Sequence, residues 1–221
     1  MMKRIPEPEL MDDPAQAAAY AAADFSEANG LFLDLFARHF PDHTPVLGID
    51  LGCGPGDITI AFARRHPGCQ ILGIDGSEPM LTLARKRLAA SPDVAAQVRF
   101  GYGRLPGLAL APRYDTLLSN SLLHHLPDPL VLWHEIQRLG RPGAAVLVMD
   151  LVRPASEAAA KALVQHYAAG APAILQRDFF HSLRAAYTLD EVAAQVASAD
   201  LRGFEIAQVS DRHWAVWGRL P

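Results

Sequence analysis

Between Val46 and Leu151 the chain alternates short apolar runs with segments whose apolar residues recur every three or four positions. No other feature constrains the fold as tightly. A strand buried on both faces reads as a near-continuous apolar run, and a parallel neighbour requires a helix to carry the chain back across the sheet. Val46-Leu47-Gly48-Ile49-Asp50-Leu51 and Gln70-Ile71-Leu72-Gly73-Ile74-Asp75 are such runs, joined by a weaker one at 97–100 and stronger ones at 115–119 and 144–151. Ile58, Ala61 and Phe62 mark a helix after the first run. Leu81, Ala84 and Leu88, behind a capping Ser77, mark the next, and Leu132, Ile136 and Leu139 a third. Repeated βαβ units of this kind predict a doubly wound, Rossmann-like α/β sheet, mostly parallel, with helices on both faces.

The ends of the chain complete that plan. Residues 1–45 carry no strand signal, and the Ala15–Ala23 and Asn29–Phe40 stretches read as two helices, forming a helical cap. Residues 46–151 form the core. Residues 152–187 lack a convincing strand and read as a helical insertion that caps the substrate. Thr188-x-x-Glu191 is a capping box opening a helix with Leu189, Val192, Ala193 and Val196 inward. The apolar stretches 204–209 and 214–217, joined across Ser210-Asp211-Arg212, predict a hairpin that brings the sheet to seven strands, its last strand antiparallel to its neighbour. All 221 residues are accommodated in a single domain.

Composition removes several function classes. The formal net charge is −4, and the densest basic cluster, Arg85-Lys86-Arg87, reads as the wet face of a helix, so no nucleic-acid partner is expected. No uncharged apolar run approaches the roughly 18–20 residues of a membrane span. The basic start, Met1 to Glu7, has no apolar stretch behind it and does not read as a signal peptide. The two cysteines, Cys53 and Cys69, make no ligand spacing. A cytoplasmic protein, monomeric or homodimeric and without a membrane anchor, is the expectation.

The sharpest motif is Asp50-Leu51-Gly52-Cys53-Gly54-Pro55-Gly56-Asp57, between the first strand and its helix. Glycines there let the backbone approach a ligand at the carboxyl end of the sheet. Beyond the loop, Asp75 ends the second strand, where a carboxylate can accept both hydroxyls of a ribose. A dinucleotide fingerprint would read GxGxxG, but here the third glycine comes one residue early. Asp50 and Asp57 flank the loop, and two carboxylates would repel a pyrophosphate. They suit a ligand bearing an ammonium and a sulfonium. A nicotinamide-dependent oxidoreductase would share the architecture but not this glycine spacing. A non-catalytic binding protein for the same ligand would carry the same loop.

With these residues the chain resembles the class I S-adenosylmethionine-dependent methyltransferases of the small-molecule type. Val46 to Gly56 resembles the family's first motif, Gly73 to Ser77 with Met80 its second, Tyr114 to Leu126 its fourth-strand motif, and Arg141-Pro142-Gly143-Ala144 the loop entering its fifth strand. The resemblance implies S-adenosylmethionine as cofactor, S-adenosylhomocysteine as product and direct in-line transfer of a methyl group to a small-molecule acceptor. It places Gly52, Cys53, Gly54 and Gly56 against the methionine part, with Asp50 holding its ammonium. Asp75 goes on the ribose, and Gly76 and Met80 near the adenine. Asn120 then ends the fourth strand facing cofactor and substrate. Tyr102 stands where many members have an acid, so adenine recognition falls to the backbone around Gly103 and Arg104.

Candidates for the acceptor side are less defined. His124, Tyr20 and Asp150 are the candidate catalytic groups, and Tyr20 with Phe25 suits a mobile N-terminal helix over the cleft. Within 152–187 the aromatic and polar mix around His181, Arg184 and Tyr187 suits a substrate wall. His124-His125 invites a metal reading, but adjacent residues are expected to point in different directions, so no metal is expected. Cys53 reads as a small space-filling residue of the loop.

Overall fold

The computed structural model describes residues 2–7, 12–111 and 113–221. Its strands are β1 (Leu47–Leu51), β2 (Gln70–Asp75), β3 (Val98–Tyr102), β4 (Tyr114–Asn120), β5 (Gly140–Leu151), β6 (Glu205–Gln208) and β7 (His213–Arg219). They form one seven-stranded sheet in the order β3-β2-β1-β4-β5-β7-β6. Strands β1 to β5 pair in parallel, and β7 lies antiparallel between β5 and β6. The expected doubly wound sheet with a terminal antiparallel hairpin is what the chain adopts.

The helices are α1 (Pro14–Ala22), α2 (Ser26–His39), α3 (Asp57–Arg65), α4 (Glu78–Ala89), α5 (Leu130–Leu139), α6 (Glu157–Ala168), α7 (Ala173–Ala185) and α8 (Leu189–Ser198). Strand side chains alternate between the two faces, so each buried strand feeds two cores. On β5, Val146 and Val148 join Ile49, Leu51, Leu117 and Trp133 beneath α5 and α8. Ala145, Leu147 and Met149 face the other way, toward Phe32, Phe36, Ile58 and Phe62 of α2 and α3. Phe36 and Phe62 meet edge to face at 4.9 Å and are almost wholly shielded from solvent.

Several helix ends follow their side chains. Ser77 accepts the Met80 amide, and the Thr188–Glu191 capping box closes in both directions. One face differs from expectation. Ala193 is exposed on α8, and buried Gln195 takes the inner position because its Oε1 accepts the indole N–H of Trp133 at 3.2 Å. Arg87 also departs from the wet-face reading: it turns inward to bond Asp57 and the carbonyls of Pro55 and Ala21.

Strand order reverses between β1 and β4. The chain runs outward through β2 and β3, then returns to pair β4 on the other side of β1. Loops leaving these two strands diverge and leave a crevice at their carboxyl ends. Phe62→Ala, which removes the ring seated against Phe36, should cost about 3–5 kcal/mol of unfolding free energy, measured by urea denaturation.

Candidate cofactor and acceptor site

A cavity of about 920 Å³ lies over that crevice. Its floor is Asp50, Gly52, Cys53 and Gly54, and one side is Asp75, Gly76 and Met80 with Gly103 and Arg104. Asn120 and His124 line it from the end of β4, and Tyr20 reaches it from α1. All of these were expected at the site from the sequence.

The three glycines of the loop do different jobs. Gly56 is not on the cavity wall; its φ of +83° opens α3, and a Cβ there would meet the Phe100 ring at 2.6 Å. Gly52 leaves room for Leu122, which a Cβ would approach at 2.8 Å. Only at Gly54 would a Cβ enter open space, and Gly54 lines the cavity. Its amide donates to Asp75 Oδ2 at 2.8 Å, while Ser77 N–H donates to the other oxygen at 2.8 Å, so the carboxylate is fixed in place.

Electrostatics set the floor apart. Asp50 is buried, and its one side-chain hydrogen bond among the described residues is from the Thr59 hydroxyl at 2.6 Å. Burial pushes its carboxyl up to about 7. Burial likewise raises Asp75, even against its backbone donors. No cationic side chain pairs with Asp50 or Asp75 among the described residues. Asp57 is different, because Arg87 neutralises it. Burial also holds the Cys53 thiol well above its ordinary value, so it is no nucleophile. At the end of β4, Asn120 Oδ1 is buried without a hydrogen-bond partner among the described residues. The next residue, Ser121, is held in the left-handed region at φ 56°, which turns the chain sharply toward His124.

His124 is buried at the cavity wall beyond the end of β4. Its Nδ1 is 2.5 Å from Asp150 Oδ1, and its amide donates to Asp150 Oδ2 at 3.0 Å. Burial works against a charged ring, but Asp150 and Glu7 overcome it and push the imidazole up to about 10. His124 is therefore a cation and a donor here. Asp150 stands behind it, off the cavity wall, and can act only through it. Burial, with Asp57 and Asp75 close by, pushes the Tyr20 hydroxyl up to about 12.

The expected substrate wall needs correction. His181 is exposed, Arg184 lies over the Phe180 ring at 5.4 Å, and buried Tyr187 bonds the Leu126 carbonyl; none lines the cavity. The wall comes from another face of α7: Leu175, Asp178, Phe179 and Ser182. These recur at helical spacing, but the stretch is polar and aromatic on several faces, and composition did not reveal which one turns inward. Sequence reading also missed the N-terminal strap. Arg4 bonds the carbonyls of Ala185 and His124 and lies 4.1 Å above the Tyr187 ring, and this carries Glu7 to the two histidines.

With this geometry in view, the likenesses to known proteins are informative. Residues 49–146 match a family model described as a methyltransferase domain. The core of the chain is thus similar to methyltransferase domains. Trans-aconitate 2-methyltransferase from Azoarcus sp. (strain BH72) is 34% identical over 115 residues, covering 52% of this chain and 42% of that one. Ubiquinone biosynthesis O-methyltransferase from Leptothrix cholodnii is 33% identical over 109 residues, covering 48% and 44%. The chain thus matches less than half the length of either relative. Among solved structures, a SAM-dependent methyltransferase from Aquifex aeolicus superposes with a TM-score of 0.66 at 17% identity, over 95% of this chain and 99% of that one. The cyclase SpnF superposes at 0.65 and 17%, over 99% and 88%. At such identities the likeness is one of fold, and the cyclase shows that this fold also serves other reactions.

The cavity is roofed by α1, which Gln16 ties to Asp178 of α7 at 2.7 Å and Arg87 ties to the glycine loop. Arg87→Ala should free the C-terminal end of α1. Amide hydrogen exchange is expected to rise over residues 14–25 and stay unchanged in β1, β4 and β5.

Proposed function

We propose that this chain transfers the methyl group of S-adenosylmethionine to a small-molecule acceptor and releases S-adenosylhomocysteine. The observation that carries this reading is a pair of carboxylates on either side of the glycine loop, buried Asp50 and half-buried Asp75, that have no cationic side-chain partner among the described residues. Burying a carboxylate without a positive partner is costly, and a ligand bearing an ammonium relieves that cost at Asp50. Asp75, already held by two amides, has lone pairs left for the ribose hydroxyls. The open space at Gly54 and the unpartnered Asn120 Oδ1 fit the same ligand.

When bound, the cofactor supplies the electrophile, a methyl group on a sulfonium. The chain's own work is to hold, orient and exclude water. Asp50 and Asp75 anchor the two ends of the cofactor, and Met80, Gly103 and Arg104 flank the adenine side. The α1 helix and the Leu175–Phe179 face of α7 close over the acceptor. Holding nucleophile, methyl carbon and sulfur in line contributes on the order of 7–11 kcal/mol to such a reaction.

The proton inventory narrows the acceptor. Tyr20 and His124 both hold their protons at neutral pH, so neither accepts one from the acceptor in this arrangement. An acceptor that arrives as an anion needs no base, and the His124 cation favours it. A carboxylate is the simplest such acceptor, and the trans-aconitate named in the relatives is of this class.

Two experiments test the reading. Turnover of methyl-labelled S-adenosylmethionine with a panel of carboxylic acids should yield a labelled ester; tight cofactor binding with no labelled product from any acceptor class would leave only a binding protein. For the cofactor itself, Asp50 is protonated below about 7 in the free protein. Affinity for S-adenosylhomocysteine by calorimetry should therefore fall on acidification below that value, approaching about tenfold per pH unit. Asp50→Asn should bind weakly with a flat profile over the same range. Gly54→Ala, whose methyl intrudes on the cofactor's space, should weaken binding by about tenfold, or about 1.4 kcal/mol.

A further inference from the structure

We infer that Glu7, His124 and His125 form a divalent metal site that opens onto the acceptor side of the cavity. Glu7 Oε1 lies 3.3 Å from His124 Nε2 and 3.4 Å from His125 Nδ1, and the three donor atoms all fall within 4.8 Å of one another. Those separations exceed an ordinary N–H···O hydrogen bond of about 2.7–3.2 Å. They match the edge of a coordination tetrahedron, which for metal–ligand bonds of about 2.0–2.2 Å is about 3.3–3.6 Å. Adjacent histidines do converge here, because a 3₁₀ turn over Leu123–His125 brings their rings to 4.2 Å. The expectation that neighbours must point apart assumed a regular strand or helix.

A second observation is independent of that spacing. The Glu7 side chain is only 9% exposed, and among the described residues its Oε1 has no partner of ordinary hydrogen-bond geometry although it faces both rings. A third is the support behind the ligands. Asp150 grips His124 Nδ1 at 2.5 Å, which turns Nε2 toward Glu7, and Ser182 reaches the Glu7 carboxyl by a side-chain hydrogen bond. A carboxylate behind a ligating imidazole is the usual arrangement that fixes the ring and raises its basicity. Coordination at Nε2 releases the proton held there, with the ion supplying the positive charge instead.

Two imidazole nitrogens and one carboxylate oxygen suit Zn²⁺ or a related first-row divalent ion. The fourth position falls on the cavity side, where His124 and His125 both line the wall. Its occupant would be an oxygen anion of the acceptor. Metal binding itself does not depend on the methyl-transfer reading; only the role of the fourth ligand does.

The test is metal uptake by the full chain after chelator treatment, using Zn²⁺ for equilibrium dialysis and Co²⁺ as a spectroscopic probe. One ion per chain, intense tetrahedral Co²⁺ bands and an affinity at least about tenfold lower in both Glu7→Gln and His125→Ala are expected. Circular dichroism and S-adenosylhomocysteine binding by the variants control for misfolding and read the cofactor site separately. No retained ion at micromolar free Zn²⁺ would overturn the site and leave an ion pair only. Equal uptake by the native chain and both folded variants would overturn it too.

Discussion

Two carboxylates, one buried and one half-buried, at the point where strand order reverses set the terms for the rest of this molecule. Asp50 is the penultimate residue of a central strand and Asp75 the last of its neighbour, so both arrive at one edge of the sheet by topology. Their ionised forms are penalised by burial and, among the described residues, relieved by a hydroxyl and backbone amides. On the proposed reading, a cationic ligand lifts that cost. Asp57 provides the internal contrast, because there the chain supplies its own cation in Arg87.

The roof is built on the same principle of few, placed contacts. The α1 helix buries little of its own surface, with Ala17 its one fully buried residue. What keeps it over the cavity is Arg87 from below and the Gln16–Asp178 bond at the side. An element held by a handful of polar contacts opens at lower free energy than the strands beneath it.

The sequence made the sheet legible because both of its faces are buried. Gln70–Asp75 reads as a strand from its apolar run alone, and the structure bounds it there. The cavity floor was legible for a related reason: glycine spacing and aspartates at or next to strand ends are local signals. The acceptor side was not. Phe179 and Ser182, rather than His181 and Arg184, face the cavity, and one helical turn of a mixed segment offers no means of choosing between them. Glu7 was further out of reach, since Arg4 brings it across more than a hundred residues to His124 through bonds to backbone carbonyls. Such contacts leave no pattern in either segment.

The most direct measurement is a crystal structure of the chain grown with S-adenosylhomocysteine. The account predicts its ammonium against Asp50, both ribose hydroxyls on Asp75, and the sulfur directed toward Asn120 and the space beneath α1 and α7. A ligand that binds elsewhere, or one in this cavity whose amino group and ribose avoid both aspartates, would contradict it.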